Sequence, residues 1–217
     1  MSGARVSRRA MLSGSAGFVA AFAAARVGRA GSIDDLLGRI ARARSSVRTL
    51  KGPFTQTRTI GLLSTDVRSI GTLALVRPDR LRWELAPPDA VTFWIGPEGL
   101  AYRSQHGQGS MPASSARIAA SLQDLHALLG GDLAKLSDRW NLTLIRDEAA
   151  GAEIEARARS AAGASGVPRT IRFALAPDLV RPVRALLVEG EHDRTTVEFG
   201  EVAVNAPIED SAMRPPS

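Results

Sequence analysis

The apolar positions of this chain repeat with two different periods. Ile33, Leu36, Leu37, Ile40, Val47 and Leu50 recur at helical spacing, with arginines at 39, 42, 44 and 48 between them. Ser32 and Asp35 fit a capping box, and Asp34 and Asp35 suit the positive end of a helix. Gly52-Pro53 supplies a stop. The pattern predicts one amphipathic helix over residues 33–50. Beyond it the period falls to two. Leu81, Trp83 and Leu85 alternate with Arg80, Arg82 and Glu84, and Val91, Phe93 and Ile95 alternate with mixed residues. Ala152, Ile154 and Ala156 alternate with Glu153, Glu155 and Arg157, and Ile171, Phe173, Leu175, then Val197 and Phe199, repeat the pattern. These are strands with one apolar and one polar face. Short connections carrying Gly or Pro (Pro87-Pro88, Gly96-Pro97, Pro177-Asp178) favour antiparallel meanders over parallel crossovers.

A second helix is expected over residues 114–129, where Ile118, Leu122, Leu125 and Leu129 share a face and Gly130-Gly131 follow. A shorter helical piece is expected over 132–138, and turns or loops at Gly151, at 161–166 and in the Gly-rich stretch from Ser104 to Ser110. The chain shows no internal repeat and no linker long enough to divide it, so residues 31–217 are read as one β-rich α+β domain. A large sheet with one apolar face must cover that face. Either the two helices seal a solid core, or they form a lid over a cavity lined by the concave side of a curved sheet. Periodicity alone allows both.

Composition removes whole classes of chemistry. The 217 residues contain no cysteine, which excludes disulfides, thiol nucleophiles and Cys-ligated metals. The net charge of +6 first suggests a polyanion partner, but five arginines (5, 8, 9, 26 and 29) fall in the first 30 residues without any acid. Taking those five from the 28 basic residues leaves 23 against 22 acidic ones, and the case for nucleic-acid binding goes with them. Aromatic residues, at 5%, also leave little for stacking on bases.

Those first residues have the form of an export signal. Ser7-Arg8-Arg9-Ala10-Met11-Leu12 resembles the twin-arginine pattern, an uncharged apolar stretch runs from Ala16 to Ala25, and small residues then offer cleavage after Ala25 or Ala30. The stretch is too short to span a bilayer, which needs about 20 apolar residues. Residues 1–30 are therefore expected to be a cleaved leader, and the mature protein is expected in the periplasm.

Several segments together resemble the periplasmic outer-membrane lipoprotein carrier (LolA-like) family. Leu50-Lys51-Gly52-Pro53-Phe54-Thr55-Gln56 is similar to the family's entry into its first strand. The resemblance is strongest from Gly71 to Glu84, with Arg77-Pro78 and Trp83, followed by Pro87. Ile95 to Tyr102 is similar to the next hairpin, and Asn205-Ala206-Pro207-Ile208 to the C-terminal Asn-x-Pro segment. Two family aromatics are missing: Leu100-Ala101 precedes Tyr102 without a Trp, and the region Ala212-Met213 lacks the C-terminal Phe.

The resemblance implies an incomplete antiparallel β-barrel, a curved sheet whose mouth is crossed by short helices forming a lid over an apolar cavity. It implies a carrier that shields the acyl chains of lipoproteins, receives them from an inner-membrane ABC transporter complex and hands them to an outer-membrane receptor. Arg77 matches the arginine that ties the lid closed through helix carbonyls; the plain alternative is a surface arginine at a strand end. The candidate cavity wall comprises Phe54, Leu73, Leu75, Leu81, Trp83, Phe93, Ile95, Leu122, Leu125 and Phe173, with Trp83 first a packing residue. The missing aromatics motivate an alternative, a LolA-like protein for another lipid or glycolipid in a dedicated export pathway.

No catalytic, metal or cofactor site is expected. His192 lies in a polar hairpin tip, Glu189 to Asp193; His126 sits beside Leu122 and Leu125; and His106 belongs to the Gly-rich stretch. Neither a Gly-x-Ser-x-Gly nor a His-Glu-x-x-His motif occurs. The expected protein is a monomer, a carrier and not an enzyme.

Overall fold

The computed structural model describes residues 32–61, 66–111, 124–130, 133–159 and 169–215. The proposed leader, Ile118, Leu122, Gly131 and the 161–166 stretch lie outside these residues. Helix α1 spans Ile33–Ala43 and begins with the expected capping box: Ser32 Oγ accepts from the Asp35 amide at 3.1 Å, and Asp35 Oδ2 accepts from the Ser32 amide at 3.3 Å. The helix stops at Ala43 and not at Leu50. Residues 44–46 turn, and strand β1 (Thr49–Thr59) begins at once. Val47 and Leu50 are buried at helix-compatible spacing, but Leu50 stands opposite Leu75 and Val204 in the sheet. Strand pairing overrides local period here.

Gly52-Pro53 lies inside β1 and is no stop. The Pro53 carbonyl accepts from the Gly200 amide at 2.9 Å, so its nitrogen faces the same side. That side is where β1 changes partner, from β12 (Ala203–Val204) to β11 (Arg194–Phe199), and a missing N–H costs no ladder bond there.

The remaining strands are β2 (Val67–Val76), β3 (Arg80–Leu85), β4 (Val91–Gly96), β5 (Gly99–Ser104), β6 (Gly107–Met111), β7 (Trp140–Glu148), β8 (Gly151–Ala158), β9 (Thr170–Leu175) and β10 (Pro182–Val188). The strand order is β6-β5-β4-β3-β2-β1-β11-β10-β9-β8-β7, with β12 beside β1, and all the pairings are antiparallel. Among the described residues the end strands β6 and β7 do not pair, which leaves an incomplete barrel. The Gly-rich stretch expected as a loop is in fact the hairpin β5–β6, paired residue by residue from Leu100↔Met111 to Ser104↔Gly107. A backbone ladder needs no alternation of side chains, and glycines hide the period.

Register assembles the core in rows. Leu50, Leu75, Leu81, Ile95 and Leu100 follow one another across five strands. The next row carries Leu73, Trp83 and Phe93. On the other half, Val197, Ala185, Phe173 and Ile154 line up in the same way. Gly71 shows why register matters: a Cβ there would sit 2.2 Å from Glu84 O and 2.5 Å from Phe54 Cζ. The vacancy lets Phe54 stack on Trp83 with ring centroids 3.8 Å apart. Against this face pack Leu36 and Ile40 of α1, Leu125, Leu128 and Leu129 of a helical turn at 124–129, and Leu136 of the 3-10 helix Leu133–Asp138.

The polar face carries one protected acid. Glu155 of β8 stands opposite Arg172 of β9 and accepts from Arg172 Nε at 2.7 Å and Arg157 Nε at 2.6 Å. Its side chain is only 4% exposed, whereas those of Arg157 and Arg172 are 66% and 48% exposed. The Arg172 hydrogen bond, outweighing burial and reinforced by Arg157, holds the carboxyl below its ordinary 4.5. A carboxylate with a lowered folded pKa stabilises the fold above its ordinary value and loses that contribution as pH falls through the folded one. With partners this exposed the effect is about 1 kcal/mol. Urea unfolding between about pH 6 and pH 3 should therefore fall less steeply for Glu155→Gln than for the unaltered protein; parallel curves would contradict the assignment.

Candidate functional site

The chemistry of this molecule concentrates where the helices meet the end of β2. An α-helix leaves its last carbonyls without amide partners and carries a partial negative charge at that end. Arg44 is the C-terminal cap of α1, and its carbonyl accepts from the Val47 amide at 3.1 Å. Arg77, on the turn after β2, donates from Nη1 to the same Arg44 carbonyl and to Val47 O at 3.4 Å. The Arg77 amide also donates to Arg48 O at 2.9 Å. Arg77 thus joins the sheet to the C-cap of α1 through its side chain and to the α1–β1 connection through its backbone.

The second helix ends on an arginine too. Arg44 is 3% exposed, and its Nη1 donates to Leu128 O at 2.8 Å. Gly130 follows, so close to the sheet that a Cβ would lie 2.6 Å from Leu75 Cδ2. At its other described end, Asp124 is buried and accepts from Arg139 Nη2 at 2.6 Å and Trp140 Nε1 at 3.4 Å. Burial nevertheless raises the Asp124 pKa, against the pull of Arg139 and Trp140. His126 Nε2 is buried without a partner among the described residues; burial lowers its pKa, and Asp79 opposes this.

The turn between α1 and β1 has a further clasp. Asn205, at φ 58°, accepts the Arg48 amide on Oδ1 at 2.7 Å and donates from Nδ2 to Ser46 O at 3.3 Å. Asn tolerates that left-handed backbone better than most residues. Thr49 Oγ1 donates to Ala206 O at 2.6 Å. Asn205 and Ala206 therefore hold the turn between α1 and β1. On the far side of that helix, Arg39 grips Asp147 of β7 bidentately at 2.5 and 3.0 Å.

The candidate wall residues come together, with one difference from an open chamber. Leu73, Leu75, Leu81, Trp83, Leu125 and Phe173 are buried in one contiguous core, filled by leucines and isoleucines of the helices. Phe93 is half-buried against it, and Leu122 lies outside the described residues. Among the described residues, open volume is found elsewhere. A cavity of about 890 Å³ is lined by Phe54, Leu85 and Phe199 together with Pro53, Ile70, Thr72, Pro87 and their neighbours. Another, of about 640 Å³, lies between Ile95, Leu100 and Met111 and the C-terminal Met213 to Pro215. Trp94 beside it donates from Nε1 to Ala212 O at 3.0 Å and lies between Arg82 and Arg103, each 5.9 Å from the ring.

Sequence reasoning missed Arg44 and Asp124. Arg44 stands among several arginines, none of which is marked as the buried one, and Asp124 lies in a mainly apolar stretch without its partners, Arg139 and Trp140, which come from the next elements. No helix among the described residues is long and apolar enough to cross a membrane.

A family model, Outer membrane lipoprotein carrier protein LolA, matches residues 45–214. A search of curated protein sequences finds no match. Among solved structures, an uncharacterized conserved protein from Thermus thermophilus is similar at TM-score 0.52 and 9% identity, over 84% of this chain and 93% of that one. A LolA superfamily protein from Nitrosomonas europaea aligns at TM-score 0.47 and 9% identity, over 85% of this chain and 98% of its own. The Mycobacterium tuberculosis lipoprotein LppX aligns at TM-score 0.38 and 15% identity, covering 82% and 99%.

Proposed function

The chain belongs to the LolA family of outer membrane lipoprotein carrier proteins, and on that premise we propose that it is a carrier whose helices cover an apolar sheet face reserved for acyl chains. The observation that carries the reading is the pair of helices seated by leucines on the concave face and fastened at their ends by arginines. The helices then stand in the closed position. Five helix side chains, Leu36, Ile40, Leu125, Leu128 and Leu129, occupy the space that cargo would take. At about 2 kcal/mol each their burial is worth about 10 kcal/mol. An acyl chain of about 15 CH₂ groups gains about 12 kcal/mol on entering the same surroundings. Exchange of helix leucines for cargo is therefore nearly balanced, as a carrier that must also release requires.

The cargo proposed is an acylated lipoprotein, loaded by an inner-membrane transporter and delivered to an outer-membrane receptor, in the periplasm, by a monomer. No step of this role needs a catalytic group, a metal or a cofactor. The test is to incubate the purified protein with inner membranes carrying its transporter and an acylated lipoprotein. A soluble one-to-one complex is expected. No release, together with a non-protein lipid found by mass spectrometry in the purified protein, would replace lipoprotein cargo by lipid or glycolipid cargo.

A further inference from the structure

Arg44 is placed at a cost that packing does not require. Its guanidinium is buried, donates one hydrogen bond, to Leu128 O, and leaves Nε and Nη2 without partners among the described residues. Guanidinium offers five donors, and desolvating it half-satisfied is unfavourable. The charges that act on it are Arg77, of like sign, and Asp178, of opposite sign. Asp178 is already engaged by Arg181 and by the amides of Val180 and Arg181. Burial first, then Arg77, lowers the Arg44 pKa to about 10, which leaves it charged at neutral pH. An apolar side chain would fill the same space without that cost.

What an apolar side chain could not do is link the two helices. Arg77 holds the Arg44 carbonyl, and the Arg44 side chain holds the Leu128 carbonyl. The two contacts run in series through one residue, from sheet to α1 to second helix. Loss of the first would displace the end of α1 and draw the guanidinium off the second. We propose that Arg44 is the coupling residue of the lid: it makes the two helices release together, and its idle donors bias the closed form toward opening, because opening lets water or a cargo oxygen reach them. The inference rests on the lid reading above.

Hydrogen exchange on the full chain separates the possibilities, using Arg77→Leu, Arg44→Met and the double variant. Arg77→Leu should speed exchange of the amides at 127–130 about tenfold, although the hydrogen bonds of Arg77 go to Arg44, Val47 and Arg48. Arg44→Met should speed the same amides by about as much, and adding Arg77→Leu to it should change them no further. Urea stability of Arg44→Met should equal or exceed that of the unaltered protein, since a half-satisfied buried cation is gone. Arg44→Lys, which keeps the charge and a donor, should exchange at a rate between those of the unaltered protein and Arg44→Met. If the effects simply add, or if 127–130 ignores Arg77→Leu while α1 responds, the helices are independent and the coupling is refuted. A loss of global stability in Arg44→Met refutes the bias from idle donors. If Arg77→Leu alters neither α1 nor the entry of an apolar fluorescent probe, the lid reading itself fails.

Discussion

Arg77→Leu is expected to take up an apolar fluorescent probe about ten to a hundred times faster than the unaltered protein, with matching loss of amide protection in α1. From a half-buried position Arg77 makes two charge-assisted contacts, with the carbonyl of Arg44, the C-cap of that helix, and that of Val47 just beyond it. Contacts of this kind contribute about 1–3 kcal/mol in total when partly screened. Since about 1.4 kcal/mol is tenfold in an equilibrium, the closed form should lose one to two powers of ten. Lysine at the same place keeps the charge but not the planar fork, and should fall between. The fold should survive both changes, because the core rows do not include Arg77. Stopped-flow fluorescence with the probe reads the entry rate. Equal rates in all three proteins would make Arg77 an ordinary strand-end arginine.

Trp83→Ala should do the opposite: little at the helix ends, and a severe loss of stability. Trp83 is 2% exposed, stacks on Phe54 at 3.8 Å and meets Phe199 edge-on at 6.4 Å. It stands in register between Leu73 and Phe93, at the centre of the β1–β4 half of the sheet. Truncating a buried aromatic costs about 3–5 kcal/mol, the transfer term plus the cavity. For a chain of this length that lowers the thermal midpoint by roughly 10 °C. Urea or thermal unfolding measures it. A loss of less than about 1 kcal/mol would mean that the core collapses around the gap and that Trp83 is not the keystone of its row.

The difference between these two outcomes reflects how the site is built. Core rows were visible in the chain where a strand such as β3 buries alternate residues, so Leu81, Trp83 and Leu85 announce their face locally. The capping box at Ser32 and Asp35 was visible for the same reason, since both partners lie within one helical turn. The end of α1 was not. Val47 and Leu50 satisfy a helical period and a strand equally well, and Leu75, from another part of the chain, decides between them. Strand β6 was hidden because glycines carry no pattern, while its ladder with β5 uses only backbone groups.

The amino-acid order alone determined an antiparallel, half-apolar sheet with two helical covers, and the Gly71-to-Glu84 segment that points to its family. Those are properties of neighbours, set by period, by caps and by turn residues. Tertiary structure alone decided that Arg44 is the buried arginine among several in its segment, that its partner is Leu128, and that Arg77 and Asn205 meet the same α1–β1 connection. Arg44 and Leu128 are 84 positions apart, and Asn205 stands 157 from Arg48. A guanidinium looks the same in a sequence whether water or a helix carbonyl receives its donors; only the folding of distant segments against each other removes the water.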